Sequence, residues 1–425
     1  MAELSTRKRG NKWEYRFEAA KVGGKRKQIS KGGFRTKKEA LEAGTKALAE
    51  YNRSGLMFEP TEISVHDYLN YWFDNYCKIN LTYNTQVDYL YTIQNHLQPK
   101  FGQYKLKALT SSILQEYANN LKLNGYSKSH IKGILSTFSS ALNYAVEPLN
   151  YISKNPLDYI KSPKIERKPR ERIILDLKDW NTIIQQFQAP SRFYIPLMIG
   201  FYTGLRISET FALTWDDIDL EKQELSINKQ IIKRNFGNEI KEGMKEHRKA
   251  NRSTWYFTAP KTPSSIRTIK FGSTLTTALK EEKKRQLANE IKYGEYYTIQ
   301  VIKEEKDEKN NPIKRIIPIQ KCIETTLPRI RLVCINESGE YTSTDSFKYC
   351  SRLIHHKLKL AFDYHSLRHT HATLLIENGA NVKDVQERLG HTRIETTLQT
   401  YVHNTEKMKQ DSVNIFESIA TGTNK

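Results

Sequence analysis

The residues able to do chemistry gather from Arg206 onward, and half of them are fixed cations. In FDYHSLRHTHATLL (Phe362 to Leu375), His365 and Arg368 stand three apart, so they share one helix face and can reach one ligand. Arg206 follows a glycine turn in TGLRISE (Thr203 to Glu209), at the expected start of another helix. Lys261 lies in APKTPSSIRTI (Ala259 to Ile269) between two strand-like runs, and Gly390-His391 is followed ten residues later by Tyr401. An arginine fork donates two parallel hydrogen bonds and keeps its charge at every relevant pH, while a histidine can move a proton near pH 7. Such a set suits an anion undergoing proton-coupled chemistry. Taken singly, each fragment is weak: a helical Arg is most often a surface cation, a lone His a satisfied polar residue, and Tyr401 is one of 24 tyrosines.

The order of the fragments says more than any one of them. Arg206, then a strand-turn-strand with Lys261, then His365-x-x-Arg368, His391 and Tyr401 resembles the tyrosine recombinase family, the phage-type integrases. The matching pieces are TGLRISE, APKTPSSIRTI, HSLRHTHATLL, LGH (Leu389 to His391) and TTLQTYVH (Thr396 to His403). The resemblance spans about Ile173 to Asn404. The amino half is more loosely similar to the arm-binding and core-binding domains of integrases from temperate phages and conjugative transposons. Glu281 to Pro328 is longer than the family pattern.

What the resemblance implies is a site of six residues. Tyr401 is the expected nucleophile, Arg206 and Arg368 the clamp on the non-bridging oxygens, Lys261 the acid for the departing 5′ oxygen, His365 the candidate base, and His391 a further donor. The physical reason is charge: attack on a phosphodiester gathers negative charge on a five-coordinate phosphorus, and fixed cations stabilise it. A phenol with a free pKa near ~10 must lose its proton as the bond forms. Glu209, on the Arg206 helix, could orient an arginine or histidine. Transfer leaves a 3′-phosphotyrosine that a 5′-hydroxyl can reverse, so no metal, cofactor or ATP is expected. Four subunits on two DNA duplexes are implied, with an excision factor or host DNA-bending protein as possible helpers.

Composition agrees with a DNA partner. The 425 residues carry 68 Lys and Arg against 47 Asp and Glu, a formal net charge of +21 that attracts polyanions. With 38% hydrophobic residues the chain can build cores, and its length predicts two to three units. The longest apolar run, Tyr194 to Tyr202, is too short to span a bilayer, so no membrane anchor is expected. Four scattered cysteines without C-x-x-C spacing suggest neither a disulfide framework nor a zinc knuckle. A reducing bacterial cytoplasm is the expected compartment.

The elements that position these residues read as a multidomain α+β chain. Residues 1–60 read as a small three-stranded sheet plus helix: Trp13, Tyr15 and Phe17 alternate with Lys12, Glu14, Arg16 and Glu18, Gly23-Gly24 turns the chain, and a second strand, Lys25 to Ser30, is followed by Gly32-Gly33. Thr36 can cap the helix that follows, with Ala40, Leu41, Ala47, Leu48 and Tyr51 inward. The crowded Lys and Arg of this module fit an arm-type DNA-binding face or a merely solvated basic terminus.

Residues 64–160 read as a helical core-binding bundle, with helices starting near Val65, Asn84, Ser111 and Ser127. A basic linker (161–172) leads to a mixed, mainly helical catalytic domain (173–410). Its expected elements are helices at Asp179 to Phe187 and Phe193 to Tyr202, and strands near Glu224 to Ile232, Thr254 to Thr258 and Ile266 to Phe271. Glu281 to Pro328 reads as a helix and an exposed hairpin or loop. A tail (411–425) with Val413, Ile415, Phe416 and Ile419 could dock on a neighbour or on its own domain. A metal hydrolase is disfavoured because H-E-x-x-H is missing and Arg368 would oppose a dication. A topoisomerase of the tyrosine type would need no basic terminal module. A catalytically silent DNA-binding protein is the alternative from another class.

Overall fold

A computed structural model of the chain describes residues 4–22, 25–54, 63–164, 172–235, 253–260, 262–307 and 309–395, with Thr397 and a few positions from Gln410 to Glu417 beyond them. It divides into two compact units, Met1–Glu166 and Arg167–Lys425.

In the first unit β1 (Ser5–Arg9), β2 (Lys12–Val22) and β3 (Lys25–Phe34) form an antiparallel sheet in that order, followed by α1 (Lys37–Ser54). The period-2 reading puts Tyr15 and Phe17 inside, and both are buried. Glu14, expected on the polar face, is buried as well, because Arg7 pairs with its carboxylate and Gly32 passes over its Cβ. The strand expected over Lys25 to Ser30 runs on to Phe34, so Gly32-Gly33 lies within β3, while Gly23-Gly24 lies outside the described residues. Trp13 pairs with Phe34 and Glu14 with Gly32, so Gly33, at φ +105°, is the extra residue of a bulge. Thr36 caps α1, its Oγ1 accepting from the Glu39 amide at 3.2 Å. Leu41 faces solvent instead of the core, since the helix approaches Tyr15 through Ala40, Gly44 and Ala47; a Cβ on Gly44 would meet the Tyr15 Cβ at 2.8 Å.

The helical part begins with α2 (Val65–Trp72), which passes through a π turn (Phe73–Cys77) into α3 (Lys78–Asn80). Next, α4 (Tyr83–Thr92) passes through a second π turn (Ile93–Leu97) into α5 (Gln98–Phe101), and α6 (Ser111–Leu123) and α7 (Lys128–Val146) follow. Side chains of Ser64, Thr110 and Ser127 cap α2, α6 and α7. Tyr68, Leu69, Trp72, Ile93, Leu97, Phe101 and Phe138 are fully buried between them.

The second unit is built around α9 (Tyr194–Thr203), an apolar helix preceded by α8 (Leu177–Gln186). Trp180 stacks on Phe201 with ring centroids 4.0 Å apart. After the short α10 (Ile207–Thr210) come β4 (Ile218–Asp219), β5 (Glu224–Ile227), β6 (Gln230–Asn235), β7 (Ser253–Thr258), β8 (Arg267–Lys270), α11 (Ser273–Tyr293), β9 (Thr298–Lys306), β10 (Pro312–Gln320) and β11 (Arg329–Ile330). The unit continues with α12 (Thr344–Lys357), α13 (Tyr364–Glu377) and α14 (Val382–Leu389).

Two antiparallel sheets result, ordered β11-β9-β10-β7-β6 and β4-β5-β8. The expected single strand Glu224 to Ile232 is therefore two strands in two sheets. The runs flanking Lys261 are strands, but β7 and β8 also belong to different sheets and do not pair as a hairpin. The Glu281 to Pro328 region does contain a hairpin, yet β10 bonds to β7 and makes it part of the sheet.

α9 and α13 touch closely at Gly200, where an added Cβ would meet Leu367 Cδ1 at 2.7 Å and the Tyr364 hydroxyl at 2.8 Å. Gly200→Ala should lower the unfolding free energy by about 1–3 kcal/mol, the usual result of overpacking. Gly133→Ala, on an exposed face of α7 with nothing within 4 Å, should raise it by about 0.5–1 kcal/mol. Denaturant titration of both variants checks this, and equal behaviour would contradict the close helix contact.

Candidate active site

Four of the six sequence-predicted residues are described, and the structure brings all four together; Lys261 and Tyr401 lie outside the described residues. Arg206 is where the glycine turn predicted it. Gly204, at φ +68°, ends α9 in the left-handed conformation, and Arg206 is the residue before α10. Its backbone N–H donates to Glu209 Oε2 at 3.0 Å, its Nη1 to Glu209 Oε1 at 2.8 Å, and its Nη2 to the Gly390 carbonyl at 3.3 Å. The side chain remains 35% exposed. A guanidinium has five N–H donors, so Arg206 reaches solvent with donors to offer.

Arg368, on α13, is 1% exposed. Nη1 donates to the Gly204 carbonyl at 2.9 Å, and Nη2 donates to the Leu389 carbonyl at 2.7 Å and to His391 Nε2 at 2.8 Å. Because a guanidinium can only donate, His391 Nε2 accepts and its proton belongs on Nδ1, which faces Thr397 Oγ1 at 2.9 Å. Burial first, then the charge of Arg368 and Arg206, holds the His391 pKa down at about 3. His365 stands one turn before Arg368 with its ring edge-on to His369, centroids 4.5 Å apart. Its ring edge is exposed, yet desolvation by the surrounding chain, followed by the Arg368 charge, lowers its pKa below the ordinary imidazole value, with Asp363 pulling the other way.

Three participants were not assigned a role from sequence: Arg267, His371 and Arg388. Arg267 opens β8, 8% exposed, and straddles the carboxylate that Arg206 also uses: Nη2 donates to Glu209 Oε2 at 3.0 Å and Nη1 to Oε1 at 3.3 Å. Its Nε donates to the Arg388 carbonyl at 2.7 Å. Burial pushes the Glu209 carboxyl up, but the charge and hydrogen bonds of Arg267 and the charge of Arg206 outweigh it, and the pKa falls below the usual carboxylate value. Arg388 ties three segments: Nε to His371 Nε2 at 2.9 Å, Nη1 to the Lys270 carbonyl at 2.8 Å and Nη2 to the Tyr202 carbonyl at 3.2 Å. Arg267 stood inside a fragment already singled out, but its partner is 58 residues away, and spacing carries no sign of that contact. Among the described residues no group of three or more His, Cys, Asp or Glu is placed to hold a metal ion, and no helix is long and apolar enough to cross a membrane.

Arginine forks converge here beside neutral imidazoles, a charge and donor set that suits an anion, on a unit whose sequence order already pointed to DNA strand transfer. The comparisons agree. Residues 174–408 match the phage integrase family, 64–122 the phage integrase N-terminal SAM-like domain, and 5–51 an arm DNA-binding domain. The chain therefore belongs to the phage integrase family and is a tyrosine-type site-specific recombinase, an enzyme that cuts and rejoins DNA. It is 27% identical over 386 residues to a XerC-like tyrosine recombinase of Caldanaerobacter subterraneus, covering 89% of each chain. It is 25% identical over 390 residues to the ICEBs1 integrase of Bacillus subtilis, covering 87% of this chain and 86% of that one. In fold it is similar to the Tn1549 transposon integrase solved with a circular intermediate DNA, with a TM-score of 0.60 at 20% identity over 84% of this chain and 100% of that one.

The neutral histidines generate a pH dependence. His371, 9% exposed, donates from Nδ1 to the Phe201 carbonyl, and burial followed by the Arg388 charge brings its pKa from 6.5 to about 3. Between those values the unfolded chain binds the proton and the folded chain does not, so stability falls as pH drops through that window. Acidification from pH 7 to 5 should remove about 2 kcal/mol through this residue. His371→Gln should flatten the pH slope of the unfolding free energy by that amount, and an unchanged slope would sink the assignment.

Proposed function

We propose that the chain is the integrase of a mobile element, a phage or a conjugative transposon, joining and releasing it at double-stranded DNA attachment sites through a covalent link on Tyr401. The observation that carries this reading is Arg206 and Arg368 anchored on neighbouring carbonyls at one helix end, with Arg206 still open to solvent. In the proposed reaction the two arginines bind the non-bridging oxygens of the scissile phosphate. Tyr401 gives its phenolic proton to His365, whose depressed pKa leaves the ring neutral and able to accept it. The phenolate oxygen attacks phosphorus, the bond to the 5′ oxygen breaks, and Lys261 supplies that oxygen with a proton. His391, accepting from Arg368 through Nε2, holds that guanidinium in the site.

The resulting 3′-phosphotyrosine has a bond energy close to that of the diester it replaces, so a 5′-hydroxyl from another duplex reverses the step. Exchanging both strands of two duplexes takes four nucleophiles, which a homo-tetramer supplies. Residues 1–60 then serve as the arm-site domain, 64–160 as the core-site domain, 161–172 as a basic tether, 173–410 as the catalytic domain and 411–425 as a tail. An excision factor or host bending protein would bias direction, and the bacterial cytoplasm is where such DNA is met. The same fold without chemistry would be a silent DNA-binding protein; the presence of all six residues in the sequence favours the enzyme.

Tyr401→Phe should bind core DNA normally yet form no covalent adduct with a nicked suicide substrate; a persisting adduct removes Tyr401 from the role. Arg206→Ala should slow adduct formation by about 10²-fold or more, and an unchanged rate refutes the clamp. Removing Met1 to Tyr51 should spare cleavage of a core site while abolishing binding to distant arm repeats, so parallel loss of both would contradict a separate arm module.

A further inference from the structure

Glu209 poses an electrostatic problem for the site it supports. It is 4% exposed and ionised, and it lies directly on Arg206, so a one-to-one pair would neutralise the cation meant for DNA. The structure places a second guanidinium on the same carboxylate. Arg267 donates to both oxygens, with bonds of 3.0 and 3.3 Å, and is more deeply buried than Arg206, at 8% against 35% exposed. Arg267 also donates to the carbonyls of Arg388 at 2.7 Å and Ser265 at 3.0 Å, so its bonds run to Glu209 and the backbone inside the protein. Of the two cations on one carboxylate, one is sealed in and the other faces solvent.

From this geometry we propose that Arg267 is a positioning residue that takes up the charge of Glu209, leaving the positive charge of Arg206 available to the scissile phosphate. The inference rests on the clamp role proposed above for Arg206. It assigns Glu209 a divided duty: its hydrogen bonds aim Arg206, while its charge is balanced elsewhere. A trio of two guanidiniums and one carboxylate carries a net +1, and only the exposed member can present that charge outward. Without Arg267 the trio becomes a neutral pair, and the field at the phosphate weakens although every Arg206 hydrogen bond is retained.

The charge account differs from a packing account in one respect: removing the carboxylate's charge should repair the loss of Arg267. Single-turnover adduct formation on a nicked core-site substrate, with DNA affinity measured separately, tests this on the full chain. Arg267→Met should bind core DNA within about threefold of wild type and cleave at least tenfold more slowly. Arg267→Met combined with Glu209→Gln should cleave at least threefold faster than Arg267→Met alone, because the unbalanced negative charge is gone. Arg267→Lys keeps the charge but not the fork, and should stay within about fivefold of wild type; it also keeps the question open to test if Arg267→Met does not fold.

Wild-type cleavage by Arg267→Met, no rescue by Glu209→Gln, or an Arg267→Lys variant as slow as Arg267→Met overturns the proposal. Arg206→Ala in the same assay separates the two readings. If it cleaves normally the clamp itself is wrong, whereas a slow Arg206→Ala beside an unrescued Arg267→Met condemns Arg267 alone.

Discussion

Three consecutive carbonyls at the end of α14 each accept a hydrogen bond from a different arginine, and the site depends on that arrangement. The Arg388 oxygen takes Arg267, the Leu389 oxygen takes Arg368, and the Gly390 oxygen takes Arg206. These are carbonyls that a helix leaves without intrahelical partners, at the end where the macrodipole is negative. Guanidiniums suit them on both counts. Gly390 makes the geometry possible: at φ +66° it turns the chain out of the helix, and a Cβ there would stand 3.0 Å from the Arg267 guanidinium. The arginines come from three stretches of sequence far apart, so this helix end gathers them to one place.

Collecting like charges imposes a discipline on everything nearby. Arg206 and Arg267 share the Glu209 carboxylate, while Arg368 and Arg388 donate to backbone carbonyls and imidazole nitrogens. Histidines in such a field are forced to stay neutral: His371 and His391 are held near 3 by burial first and a neighbouring arginine next, and His369 near 4 by burial first and His365 next. A neutral imidazole can accept from an arginine, which a charged one cannot, so depressed basicity is what lets His391 and His371 act as struts for Arg368 and Arg388. The same positive excess works against the folded state and favours any bound polyanion. DNA that occupies the site should therefore stabilise this unit through linkage as well as supply the substrate.

What could be read from sequence was local. The glycine before Arg206 announced a left-handed turn, and the three-residue step from His365 to Arg368 announced a shared helix face; both are geometric consequences of neighbours in the chain. The alternation at Tyr15 and Phe17 was sound for the same reason, since it reports a face. Periodicity does not report what meets that face. Helix spacing puts Leu41 inward, yet it is exposed because Gly44 brings the helix backbone onto Tyr15; alternation puts Glu14 outward, yet it is buried because Arg7 reaches it. Arg267 escaped notice through the same limit, as its meaning lies in Glu209 and in a carbonyl 121 residues away.

The region longer than the family pattern takes on a role once the strand order is known. A hairpin hanging from the surface would leave β7 with one neighbour, whereas β10 pairs with β7 at Phe257 and Tyr256 while β6 pairs along its other side. β7 thereby becomes an interior strand, held on both edges at Tyr256 and Phe257 and by β6 as far as its end at Thr258. The segment bearing Lys261 leaves one sheet and enters another, since β8 pairs with β5 rather than with β7. Its far end is fixed by Arg267, bonded to Glu209 and to the α14 carbonyl, and the Ser264 and Thr392 hydroxyls meet at 3.1 Å beside it. The described ends of that segment, Thr258 on β7 and Arg267 on β8, are therefore fixed in two different sheets, and the added hairpin bears on the first of them.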